Sequence, residues 1–149
     1  MSQFQVKDLS KEPPRSPSIR IGGFAIIART IDKCRADIAS TVGEYCYNCP
    51  LDKYLFNFMS INSDEFKAYV AQGHSDEEIA QWVKDHGVHK TDEEIAQWSD
   101  TQDRYSYHVN SDQEMKEWFD GECIRLGLDP EKTSLFRYLE VDDATHFPA

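Results

Sequence analysis

The sequence predicts an all-α fold: a compact single-domain bundle of about seven short helices carrying an extended, proline-rich N-terminal arm. Three observations lead there. Residues with helix-capping chemistry recur just ahead of apolar residues spaced three and four apart. Glycines at Gly73, Gly87 and Gly127 stand where those segments would end. The starts fall near 62, 75, 91 and 111, an irregular spacing that argues against a solenoid of fixed period. A chain of 149 residues, 40% hydrophobic and 12% aromatic, suffices for one core.

Residues 1–18 read as the arm, and 19–149 as the helical domain. Pro13, Pro14 and Pro17 remove donors and favour extended geometry. Such a segment either packs on its own domain or straps a neighbouring subunit.

Residues 22–41 read as the first long helix. Phe24, Ile27, Ile31, Cys34 and Ile38 share one stripe, and Gly43 follows as a stop. The other face carries Arg29, Asp32, Lys33, Arg35 and Asp37, with Lys33 and Asp37 at pairing distance along the helix, and reads as a solvated face. Glu44 to Asn48 look extended. Pro50 suits the first turn of a second helix with Leu51, Leu55 and Phe58 on one side.

The segment from Ser75 to Trp98 says nearly the same thing twice. Asp76-Glu77-Glu78-Ile79-Ala80-Gln81-Trp82 returns as Asp92-Glu93-Glu94-Ile95-Ala96-Gln97-Trp98. Ser75 with Glu78, and Thr91 with Glu94, are capping boxes, and the acidic first turns suit the helix dipole. Ile79/Trp82 and Ile95/Trp98 then point toward a core. The echo reads mostly as one way of starting a short helix and burying its aromatic, used twice, with only Ala and Gln lacking a role; a duplicated helix–turn–helix or a twofold ligand clamp is the alternative. Asn62 before Phe66 and Tyr69, and Ser111 before Met115 and Trp118, follow the same grammar. Asp129-Pro130 opens the last helix, which carries Leu135, Tyr138 and Leu139.

The chain is acidic, with a net charge of −11, and that charge is uneven: residues 1–58 carry +2 and the remainder −13. Nucleic acid is not an expected partner, and an anionic ligand belongs on the first third. No segment reads as a signal or a membrane span, so a cytoplasmic location is the expectation.

Catalytic and metal signatures are weak. Cys46-Tyr47-Asn48-Cys49 is a C-x-x-C, but no βαβ pattern surrounds it and it is Cys49 that precedes the helix, against a thioredoxin-like activity. Zinc would need two more ligands, and His86 with His89 fall short of the usual spacing, so no metal or cofactor is expected. The two cysteines read as small packed side chains. His74 and His86 lie near helix ends, where a cation is favourable without further role. Neither a serine elbow nor a phosphate loop is present.

One cluster stands out. Arg29, Asp32 and Lys33 share a helix face, and Glu44, Tyr45, Tyr47 and Asp52 follow directly. Such a set either binds a small polar or anionic ligand or forms ion pairs that anchor the loop to the helix.

DLSKEPPRSP, GGFAIIARTIDKCRA, GEYCYNCPLD, DEEIAQWV and DEEIAQW, in this order, resemble an uncharacterised family of small bacterial proteins known only as a domain of unknown function. The resemblance runs from about Asp8 to Leu139 and implies a stand-alone protein, with no activity, cofactor or catalytic residue to carry over. It emphasises the segments holding Arg29, Asp32, Lys33, Glu44, Tyr45, Cys49, Pro50, Leu51 and Asp52. An aliphatic residue is more usual at Cys46.

The expectation is a non-enzymatic module binding a small polar ligand or a protein partner, or assembling as a homo-oligomer. The alternative is an enzyme using Asp32, Tyr45, Tyr47 or Cys49.

Overall fold

The computed structural model describes residues 6–147. Among them are seven α-helices and one 3-10 turn, with no strand, so the all-α class holds. The helices are α1 (Ile27–Ile38), α2 (Pro50–Met59), α3 (Ser63–Ala71), α4 (Asp76–His86), α5 (Asp92–Arg104), α6 (Gln113–Arg125) and α7 (Leu135–His146). The chain divides into two compact units between Ser99 and Asp100, inside α5. No proline, glycine or change of composition marks that point in the sequence.

In the first unit α1 packs against α2, α3 and α4. It is shorter than the expected 22–41 at both ends. Gly22, Gly23 and Ile26 have positive φ, and Ile21 bridges back to Phe24, so a tight turn occupies the expected first helical turn. Gly22 is needed for space as well, since a Cβ there would stand 2.8 Å from the Ala80 Cβ. At the other end the left-handed residue that stops the helix is Ser40, and Gly43, also at positive φ, lies in the loop beyond it. Ile38, assigned to the apolar stripe, is exposed.

The larger correction concerns the charged face of α1. Arg29 and Asp32 are each 3% exposed, and Lys33 and Arg35 each 4%, so this face is not solvated. Helical periodicity reports one apolar stripe. It cannot report that α1 is covered on its polar side too. Part of that cover is the 6–18 segment, in which Leu9, Pro14 and Pro17 are buried. The Leu9 N–H bonds the Thr41 carbonyl at 2.8 Å, and the Ile26 N–H bonds the Pro17 carbonyl at 2.7 Å. Residues 1–5 of the expected arm lie outside the described residues.

The capping grammar fares better. Asn62 and Ser75 cap α3 and α4 through their side chains, Thr91 and Glu94 form the second box, and Pro50 occupies the first turn of α2. Two starts shift. Asp112, not Ser111, caps α6. Asp129 accepts the Glu131 N–H in a local turn, and α7 begins only at Leu135, capped by Ser134. The segment 44–48 turns rather than extends, with Asn48 at φ 65°. Trp82 and Trp98 are half-buried, and Trp118 is exposed.

The second unit is built from η1 (Tyr107–Val109), α6 and α7. Phe119 lies edge-on to Tyr107 and Tyr138. The Tyr138 hydroxyl donates to Glu122, which also pairs with Arg125.

Candidate functional site

The buried charged residues of α1 are partnered from three directions. From the N-terminal segment comes Arg15. Its Nε and Nη2 donate to the two Asp32 carboxylate oxygens, each at 3.0 Å, and its backbone N–H adds a third bond at 2.8 Å. From the first turn of α4 comes Asp76, which accepts from Arg15 Nη1 and Arg35 Nη1, both at 2.8 Å. Arg35 Nη2 also donates to the His74 carbonyl at 3.0 Å. From α2 comes Asp52, fully buried, which receives the Thr30 hydroxyl at 2.6 Å and pairs with Lys33 Nζ at 3.0 Å. The Asp52 Oδ2 accepts the Cys49 N–H at 3.1 Å, tying the start of α2 to α1.

Electrostatics follow from this wiring. Burial works against the Asp76 carboxylate, but hydrogen bonds and charge from Arg15 and Arg35 prevail and hold it below the usual carboxylate range. Burial lowers the Arg35 guanidinium, with Asp76 opposing it. Removing one partner from a buried pair such as Lys33–Asp52 leaves an uncompensated charge, at a cost of about 3–5 kcal/mol.

The loop after α1 rests on this platform. Gly43 must be glycine: its φ is positive, and a Cβ would stand 2.7 Å from the Leu9 carbonyl oxygen. Arg29 lies under the half-buried Tyr45 ring, 5.5 Å from its centroid, and also reaches the Arg15 carbonyl at 3.3 Å. Tyr47 turns the other way. Its hydroxyl donates to the Ser63 carbonyl at 2.6 Å, and its ring joins Phe56 and Phe66. Burial pushes that hydroxyl's pKa up, and pushes the neighbouring Cys34 thiol up to about 12. Cys46 and Cys49 are joined as a disulfide, their Cα atoms 5.9 Å apart, instead of packing as separate core side chains. Cys34 and Cys123 are buried and free.

Of the seven residues singled out from the sequence, Arg29 and Asp32 join Arg15, Asp76 and Arg35 in one ionic cluster, and Lys33 and Asp52 form a second, buried pair with Thr30. Tyr45 sits at the edge of the first, Tyr47 belongs to the aromatic cluster, and Glu44 is exposed. Sequence reasoning missed Arg15, Thr30, Arg35 and Asp76 as members. Arg15 lay in a segment read as an arm, and Asp76 was fully explained by helix-dipole chemistry. Among the described residues no group of three or more His, Cys, Asp or Glu is arranged to hold a metal, and no helix is long and apolar enough to cross a membrane.

The order of these segments matches a family model over residues 11–145, the Domain of unknown function (DUF5069). The chain belongs to the DUF5069 family. None of the curated proteins matches it. Family membership assigns no activity, so the reading of function rests on the residues themselves.

Proposed function

We propose that this DUF5069 protein is a non-enzymatic binding module that receives a small polar, anionic ligand where the 44–47 loop meets Arg29. The carrying observation is that one helix holds four charged side chains almost completely out of water. Desolvating that much charge is expensive, and packed apolar residues would serve stability as well or better. Arrangements of this kind are tolerated where they position something. Here Asp32, Lys33 and Asp52 serve as the platform, while Arg29 under Tyr45 is the contact surface. A guanidinium supplies a planar donor fork suited to carboxylate or phosphate oxygens, and displacing the Tyr45 ring would uncover it. The same chemistry would accept an acidic side chain of a partner protein.

The enzyme alternative has less support. Asp32 is clamped by Arg15, and Tyr47 is committed to the Ser63 carbonyl with its pKa raised.

The test is amide NMR titration with inorganic phosphate, a small dicarboxylate and a short acidic peptide. At least one should move resonances of residues 29 and 44–47, and Tyr45→Ala should change the affinity with the fold intact. Absence of any such movement, or binding unaltered in a folded Arg29→Ala Lys33→Ala variant, would overturn the reading.

A further inference from the structure

The Cys46–Cys49 pair has features that neither core packing nor fold stabilisation explains. Cys46 is exposed and Cys49 is half-buried. Their Cα separation of 5.9 Å lies within the range in which a disulfide closes without backbone movement. The loop it closes spans only three residues of sequence separation, so it constrains the unfolded chain far less than a long-range bridge would. Cys49 is also the N-cap of α2, where its sulfur faces the Asp52 N–H in a capping box.

We propose that Cys46 and Cys49 form a reversible dithiol–disulfide site that exchanges with small-molecule disulfides and thiols, Cys46 meeting the external partner and Cys49 resolving the intermediate. In the oxidising direction the Cys46 thiolate attacks one sulfur of an external disulfide RSSR. A Cys46–S–S–R bond forms, and RS⁻ leaves to take up the proton Cys46 gave to solvent. The Cys49 thiolate then attacks the Cys46 sulfur, closing the internal disulfide and expelling the second RS⁻, which is likewise protonated. The protein dithiol loses two electrons, and RSSR becomes two RSH.

Excess RSH reverses the sequence. It attacks the accessible Cys46 sulfur and expels Cys49, whose thiolate is stabilised as a leaving group by the helix N-terminus and the Asp52 N–H. The negative charge of Asp52 beside it is compensated by Lys33 at 3.0 Å. Competition from the other thiols is weak, because Cys34 and Cys123 are buried and burial raises both pKa values. The site stands apart from the thioredoxin arrangement: it lies on a turn between two helices, and the second cysteine, not the first, caps the helix.

The experiment equilibrates the full, folded chain with glutathione buffers of graded oxidised-to-reduced ratio, quenches with an alkylating agent under denaturing conditions, and maps the thiols by mass. Wild type should lose two alkylatable thiols together, at Cys46 and Cys49, with no glutathione retained. In a quenched time course with oxidised glutathione, Cys49→Ser should trap one glutathione on Cys46, whereas Cys46→Ser should acquire its adduct about tenfold more slowly, reflecting poorer access. All four thiols surviving fully oxidised glutathione would overturn the proposal, as would oxidation of any other pair. Equal trapping by the two variants would overturn the assignment of Cys46 as the entry sulfur. The wild-type measurement decides the central claim even if a variant fails to fold.

Discussion

The two DEEIAQW segments are identical in seven letters and unlike in what surrounds them. In α4 the leading Asp76 is held by Arg15 and Arg35, with its side chain 21% exposed. In α5 the equivalent Asp92 is 95% exposed and only approaches Lys84, at 3.6 Å. Ala80 is buried against Gly22, whereas Ala96 is exposed. Trp82 stacks with Tyr69 and His86; Trp98 stacks on Phe58. Yet both segments carry complete capping boxes, and both isoleucines are fully buried. Local chemistry copies with the letters. Partnership across the fold does not, because it depends on what chain happens to pass nearby.

The strongest shared feature should give the largest effect. Ile79→Ala and Ile95→Ala should each destabilise by about 3–4 kcal/mol in urea unfolding, through lost transfer energy plus a cavity. Costs differing severalfold would break the equivalence of the two buried positions.

The strongest difference lies at the leading aspartates. Asp76→Asn should cost about 3 kcal/mol, because it strips the carboxylate from two guanidiniums, while Asp92→Asn should change stability by less than about 0.5 kcal/mol. The first effect is pH-dependent. A carboxyl whose folded pKa lies below its reference of 3.8 contributes fully above that pH and loses its contribution as pH falls through the folded value. The gap between wild type and Asp76→Asn should therefore narrow from pH 6 to pH 3. A gap constant with pH would show that packing, not ionisation, makes Asp76 special.

The caps should give the smallest effect. Ser75→Ala and Thr91→Ala should each cost about 1 kcal/mol. Both Glu78 and Glu94 are held below the usual range by backbone N–H bonds from their cap residues, which the hydroxyl deletions leave in place, so the two losses should match each other and change little on acidification.

The same contrast explains how much of the molecule was legible in the sequence. Asn62, Ser75 and Thr91 announce their helices because a cap and its partner lie within four residues. The start of α1 was misplaced by five residues, because the turn at 21–26 relies on long-range bonds. The Ala25 N–H, for example, bonds Ser99 Oγ at 2.8 Å. The polar cluster was legible as a set of residue types, and Arg29, Asp32, Lys33 and Asp52 do fall into two ionic groups. Its wiring was not, because Arg15 and Asp76 meet across 61 positions. A solvated charged face and a buried one have the same helical periodicity.

That separation also has a kinetic side. Helices and capping boxes form from neighbours within about a microsecond. The clamp on Asp76 must wait until the chain near residue 15, the middle of α1 and the start of α4 have met, a closure whose entropy is lost before any bond rewards it. A clamp that closes only after the folding barrier slows escape from the native state more than it speeds arrival. In that case the part-buried guanidinium–carboxylate clamp is a latch, and Asp76→Asn should speed unfolding while leaving the folding rate nearly unchanged.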